Sequence, residues 1–194
     1  MRKKLDSSIV YGTALTCFAK YGYKKTTLED IAAELGMTNS NLYSYATSKQ
    51  ALYYDSISWG IDQWQESVRQ KVAGIEDPEQ ELLTAFQAAV TYIEEHDVMK
   101  QILQNDPAIF PMFPEVDPIE EFNNWAMNFI RDILKHGMEN GTFNTFDLDD
   151  TTLVVFNLYK FFIISAYTEN TSGSMDIGVL KNTVYSILMN GLLK

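Results

Sequence analysis

Residues 26–50 read TTLEDIAAELGMTNSNLYSYATSKQ, and this stretch decides the fold. Thr27-Leu28-Glu29-Asp30 has the form of a capping box. A threonine hydroxyl there satisfies a free N–H of the first helical turn, and an acid near the positive helix end is favourably placed. The helix after it buries Ile31 and Leu35 and stops at Gly36, because glycine accepts the left-handed conformation that ends helices. Thr38 caps a further short helix carrying Leu42, Tyr43 and Tyr45. Two short helices separated by Gly36-Met37-Thr38 have the geometry of a helix-turn-helix, whose second helix enters the major groove of DNA. Its exposed side presents Thr38, Asn39, Ser40, Asn41 and Ser44, all small polar groups able to reach base edges or phosphates. An asparagine amide can bond adenine N6 and N7 together. Tyr43, Tyr45 and Lys49 are placed for phosphates, as are Thr26, Thr27 and the amides at helix starts. Of the two tyrosines, one is expected to pack inward while Tyr43 reaches phosphate.

Outward from this stretch the chain stays helical. Upstream, Ile9/Val10, Thr13/Ala14, Cys17/Phe18 and Tyr21 fall three to four apart, a single apolar stripe that Gly22 brings to an end. Downstream, Thr47-Ser48-Lys49-Gln50 reads as a second capping box opening a long helix towards Gly74. A lysine at a helix start opposes the dipole, so Lys49 calls for a functional reason. Glu76-Asp77-Pro78 turns into a helix over 79–95. Residues 105–118 hold four prolines and must be broken into turns or very short helices. Further helical runs cover roughly 118–139, 149–168 and 176–192. Strand-like alternation never persists. The expected fold is all-α, with about nine helices: a three-helix head over residues 1–48 and a larger helical body over 49–194.

Charge is divided in the same way. The net charge is −11, yet residues 1–50 carry seven Lys/Arg (Arg2, Lys3, Lys4, Lys20, Lys24, Lys25, Lys49) against four acids. A basic module joined to an acidic body is the implied organisation. The single cysteine, Cys17, sits on the apolar stripe and reads as a small core residue. With no intramolecular disulfide possible and no apolar leader or membrane-length run, a cytoplasmic protein with no membrane partner is expected. An enzyme is disfavoured. His96 and His136 are the only histidines, neither lies in a metal-ligand spacing, and no phosphate-binding glycine loop or nucleophile motif occurs. No cofactor or metal is expected.

Ile9, Ala14, Phe18, Gly22, Tyr23, Thr26-Thr27, Ile31-Ala32, Gly36, Leu42-Tyr43 and Lys49 with Leu52 resemble, in order and spacing, the DNA-binding module of TetR-family repressors. The resemblance covers about the first quarter of the chain. It implies a homodimer that binds a palindromic operator and is released when a small molecule occupies the larger domain. It also implies that Thr27, Tyr43 and Lys49 hold the phosphate backbone while Asn39, Ser40 and Asn41 face bases. The sequence departs from the family pattern at Ser40, where a glycine is usual, at Ser44, where a histidine or asparagine is usual, and at Ala46, where an aromatic is usual.

The body is rich in large, adaptable side chains. Trp59, Trp64, Phe86, Tyr92, Phe110, Phe113, Phe122, Trp125 and Phe129 are the expected lining of an apolar pocket for a small hydrophobic effector. Asp62, Glu66, Glu94 and Glu95 are acidic rim positions that would favour a cationic aromatic ligand. The last two helices are apolar on more than one face, and one face needs a partner. Phe156, Phe161, Phe162, Ile164, Val184, Ile187 and Leu188 are the expected contacts of a symmetric homodimer. The competing reading is a helical ligand-binding or protein-interaction module without operator binding.

Overall fold

Local sequence chemistry sets the ends of each helix, and apolar faces set how they stack. In the computed structural model, residues 5–106, 109–110, 119–167 and 177–193 are described. Among these the chain forms nine helices and no strand. They are α1 (Ser7–Tyr21), α2 (Leu28–Glu34), α3 (Asn39–Leu42), α4 (Lys49–Val72), α5 (Pro78–Glu95), α6 (Asp97–Asn105), α7 (Glu120–Asn140), α8 (Leu148–Tyr167) and α9 (Ile177–Leu192).

Asp6 caps α1 by accepting from the Ser8 N–H, and Gly22 ends it at φ 78°. Asp77 caps α5, with Pro78 at its first position, where the missing N–H has no cost. The start of α4 is one residue later than the motif predicts. Ser48 is the cap, accepting from Ala51 N–H, so the reciprocal box centred on Thr47 and Gln50 does not form. Helix α6 is not foreshadowed by any sequence signal. The break at His96 carries no glycine or proline; the backbone kinks there at φ −118° and ψ 84°, and the His96 ring stacks on Tyr92.

Val10, Ala14 and Phe18 of α1, Ile31 and Ala32 of α2, Leu42 of α3 and Leu52 of α4 are all buried and form the core of the head. Phe18, Tyr23 and Tyr53 then pack as an aromatic cluster against the start of α4. Helix α4 packs on α1 on one side and α5 on the other, so it belongs to head and body together. Gly60 lies where α4 crosses α1 and α6, and an added Cβ there would come within 2.8 Å of both Leu15 and Met99. In the body, α5 packs on α7, α7 on α8 and α8 on α9.

Packing corrects four of the expected dimer contacts. Phe156, Phe162, Val184 and Leu188 are buried within their own subunit. Phe161 and Ile187 are exposed, at 46% and 59%, and Ile164 is half-buried. The exposed apolar face consists instead of Leu153, Val154 and Phe161 on α8 with Val179 and Ile187 on α9. A hydrophobic run of this length does not reveal which side faces its own core. No helix among the described residues is long and apolar enough to cross a membrane.

Candidate nucleic-acid interface and internal cavity

The head places α2 and α3 through two caps and one glycine. The capping box at Thr27 is complete: Asp30 N–H donates to the Thr27 hydroxyl at 3.1 Å, and Thr27 N–H donates to the Asp30 carboxylate at 3.0 Å. The Thr27 hydroxyl, donating to the Asp30 carboxylate at 2.6 Å, and then the Thr27 N–H hold the Asp30 carboxyl below the usual carboxylate range. The chain reverses at Gly36, φ 62°, with Met37 N–H closing back onto Ala32 C=O. Thr38 then turns extended and caps α3 through Asn41 N–H. Regular α3 is one turn long, and further turn bonds to Ser44 and Tyr45 continue it. Buried Leu42 pins this turn to the head core.

That anchoring leaves Thr38, Ser40, Asn41, Tyr43 and Ser44 exposed on one surface. Other expected contacts are committed elsewhere. Asn39 is half-buried, and its amide donates to the Glu29 carboxylate at 2.6 Å, tying α3 to α2. Tyr45 is the inward-leaning tyrosine: half-buried, with its hydroxyl donating to Leu5 C=O. Thr26 is 1% exposed and its hydroxyl donates to Gly22 C=O at 2.9 Å, so that side chain staples the α1–α2 loop and is not at the surface. Thr27 is exposed, though its hydroxyl is engaged with Asp30. Lys49 is half-buried; its ammonium lies 4.5 Å over the Tyr23 ring and donates to Lys24 C=O. Lys24 and Lys25 are exposed in the loop before α2, where the Lys24 carbonyl meets the Lys49 ammonium at the start of α4. Sequence reasoning did not single them out as site residues. Their position just ahead of the Thr26-Thr27 pair was the signal that could have found them.

A second feature lies in the body. Residues of α4, α5, α7, α8 and α9 surround an apolar cavity of about 60 Å³. Trp64, Phe86, Phe122, Trp125 and Phe129 are among the residues that line it. Tyr92 and Phe110 stand behind Trp64, with ring centroids 6.2 and 6.3 Å away, and do not line it. Trp59 belongs to the joint with the head, its ring against Gly12 of α1. Phe113 lies outside the described residues. None of the four rim acids lines the cavity. Asp62 faces a neighbouring surface depression, Glu66 pairs with Arg69, and Glu94 accepts from the Tyr167 hydroxyl. Among the described residues no cluster of potential metal ligands occurs.

Comparisons with known proteins agree with this geometry. The family model described as "Bacterial regulatory proteins, tetR family" matches residues 11–54. The HTH-type transcriptional repressor KstR2 of Mycolicibacterium smegmatis is 29% identical over 160 residues, covering 76% of this chain and 76% of that protein. A TetR transcription regulator from Haloarcula marismortui superposes with a TM-score of 0.80 at 15% identity, covering 97% of this chain and 99% of the other. AibR, in a crystal structure with isovaleryl coenzyme A and operator DNA, superposes with a TM-score of 0.66 at 17% identity, covering 96% and 100%.

Proposed function

Because the chain belongs to the TetR family of bacterial regulatory proteins, we propose that it is a ligand-responsive repressor that binds a palindromic operator as a homodimer. The observation that carries this reading is the uncharged polar surface of α3, flanked by Lys24, Lys25 and Lys49. Ser40, Asn41 and Ser44 face base edges, and Asn41 is the adenine reader. Tyr43, Lys24, Lys25 and the backbone amides at the start of α2 take phosphates. Lys49 joins them by leaving the Lys24 carbonyl. Asn39 acts by holding α3 against α2 through Glu29.

Two copies meet through Leu153, Val154 and Phe161 of α8 with Val179 and Ile187 of α9. An apolar face of this kind is costly to leave in water, and a two-fold axis lets the same patch serve both subunits. The recognition elements then lie about 34 Å apart, one duplex turn, and read a palindrome.

The operational boundary falls between residues 48 and 49, where α4 begins. Ligand in the cavity presses on Trp64 and Gln65 of α4. The same helix carries Gly60 against α1 and α6 one turn earlier, and Tyr53, whose hydroxyl donates to Asp106 at 2.8 Å. Asn105 at the end of α6 donates to Ala19 C=O of α1 at 2.8 Å. Head and body are therefore joined by two part-buried hydrogen bonds and a glycine crossing, so a tilt of α4 moves α3. Coupling of roughly 1–3 kcal/mol would change operator affinity about 5–150-fold.

A gel shift across promoter DNA containing palindromes tests the reading. Saturable binding to a palindrome, competed poorly by random duplex, is the expected result. Equal affinity for all sequences would refute operator recognition.

A further inference from the structure

The walls of the cavity limit its occupant, and the ligand class they select rests on the reading that the body holds an effector. Among the described residues no charged side chain lines the cavity. Its walls are flat: Trp64 and Phe122 stack with centroids 5.4 Å apart, and Trp125 and Phe129 at 5.3 Å. Gln65 and Tyr159, each 8% exposed, are polar groups within this apolar lining. The Gln65 carbonyl accepts from Arg69 at 3.4 Å, which leaves its amide N–H groups to donate. Burial and nearby Tyr167 push the Tyr159 phenol up, so it stays protonated. Tyr185 also lines the cavity, but its hydroxyl is turned to Leu83 C=O.

A carboxylate or phosphate here would lose its water and meet no cation in the lining, since the Arg69 guanidinium lies behind Gln65 and Trp125, whereas an ammonium would meet no carboxylate there. A hydrocarbon fits the walls but offers the protonated Tyr159 phenol of the lining no acceptor. We infer that the cavity takes an uncharged, flat, mainly hydrocarbon molecule carrying a carbonyl oxygen, which accepts from the Tyr159 hydroxyl or the Gln65 amide. At about 60 Å³ the space is closed down relative to ligand pockets of roughly 300–1,000 Å³. Entry therefore parts the wall at half-buried Phe129, Ile130 and Met189, the last unbranched and able to change rotamer. That widening is what pushes on α4.

Tryptophan-fluorescence titration of the full chain tests this with four naphthalene probes of similar size: acetonaphthone, isopropenylnaphthalene, naphthoate and naphthylmethylammonium. The ketone should bind about 2–10-fold more tightly than its hydrocarbon isostere, the range expected for one net hydrogen bond. Both charged probes should bind at least about tenfold more weakly than the hydrocarbon, because neither finds a partner. Tyr159→Phe keeps the ring and should remove most of the ketone's advantage while leaving hydrocarbon affinity unchanged. Gln65→Leu should lower ketone affinity in the same direction. A charged probe binding as well as the ketone overturns the inference. So does an advantage that survives both variants, or a failure of all four probes to bind. Operator release is read separately by gel shift: a ketone that binds yet leaves the DNA complex intact refutes the effector reading while supporting the ligand class.

Discussion

The molecule has two exposed faces of opposite chemistry, one on the head and one on the last two helices. On the head, Thr38, Ser40, Asn41 and Ser44 surround a single turn of helix and expose hydroxyls and amides. On α8 and α9, Leu153, Val154, Phe161, Val179 and Ile187 expose hydrocarbon over two helices of 20 and 16 residues. The first face suits a partner that remains hydrated and charged. The second suits a partner that excludes water, the role that the proposed homodimer gives it. A one-turn helix is marginal in water by itself, so α3 depends on the Thr38 cap, the Asn39–Glu29 bond and the Leu42 anchor. The long helices owe their order to the faces they bury inside the subunit, which leaves their outer sides free to specialise.

The sharpest break in the comparison separates inner from outer residues on α8. Phe162→Ala should cost about 3–5 kcal/mol of stability in denaturant unfolding, because it opens a hole in the subunit core. Its neighbour on the outer side should behave differently. Phe161→Glu combined with Ile187→Glu should leave each subunit folded but shift light scattering from dimer to monomer, with operator affinity falling at least about 100-fold through lost bivalency. A double variant that stays dimeric would place the interface elsewhere. On the head, Asn41→Ala should lose about 1–3 kcal/mol of discrimination at one base pair, read from a panel of single-substituted operators. Lys49→Ala should instead weaken all duplexes alike and reduce the salt slope by roughly one unit. The smallest effect belongs to the cap. Thr38→Ala should lower head stability by about 1 kcal/mol, visible as faster amide exchange in α3.

The head was legible because its signals are local. Thr27, Gly36 and Thr38 act on the backbone within four residues, so cap, stop and cap could be read in order and recur in the structure. Elsewhere a local signal was ambiguous or absent. Thr47 and Ser48 are both able to cap, and Ser48 does so. At His96 the chain bends without a glycine or proline, so nothing in the sequence marked where α6 begins.

Side-chain commitments were harder to read than the helices that carry them. Thr26 and Thr27 are adjacent and chemically alike, yet one is sealed under the α1–α2 loop and the other exposed. The difference depends on Gly22 C=O lying where Thr26 can reach it, a consequence of how α1 ends. Trp59 and Trp64 share a helix and a residue type. Five residues of separation turn them to different sides, so one packs on Gly12 and the other walls the cavity.

Composition, periodicity and capping residues determined that the fold of the described residues is all-α, where most helices begin and end, and that the basic head reads as a DNA-binding module. Those properties arise from interactions within a few residues of one another. Which of Phe161 and Phe162 faces outward, which aromatics enclose empty space and which carbonyl receives the Thr26 hydroxyl were decided only when distant helices packed, because burial is a property of neighbours that the chain brings together from far apart.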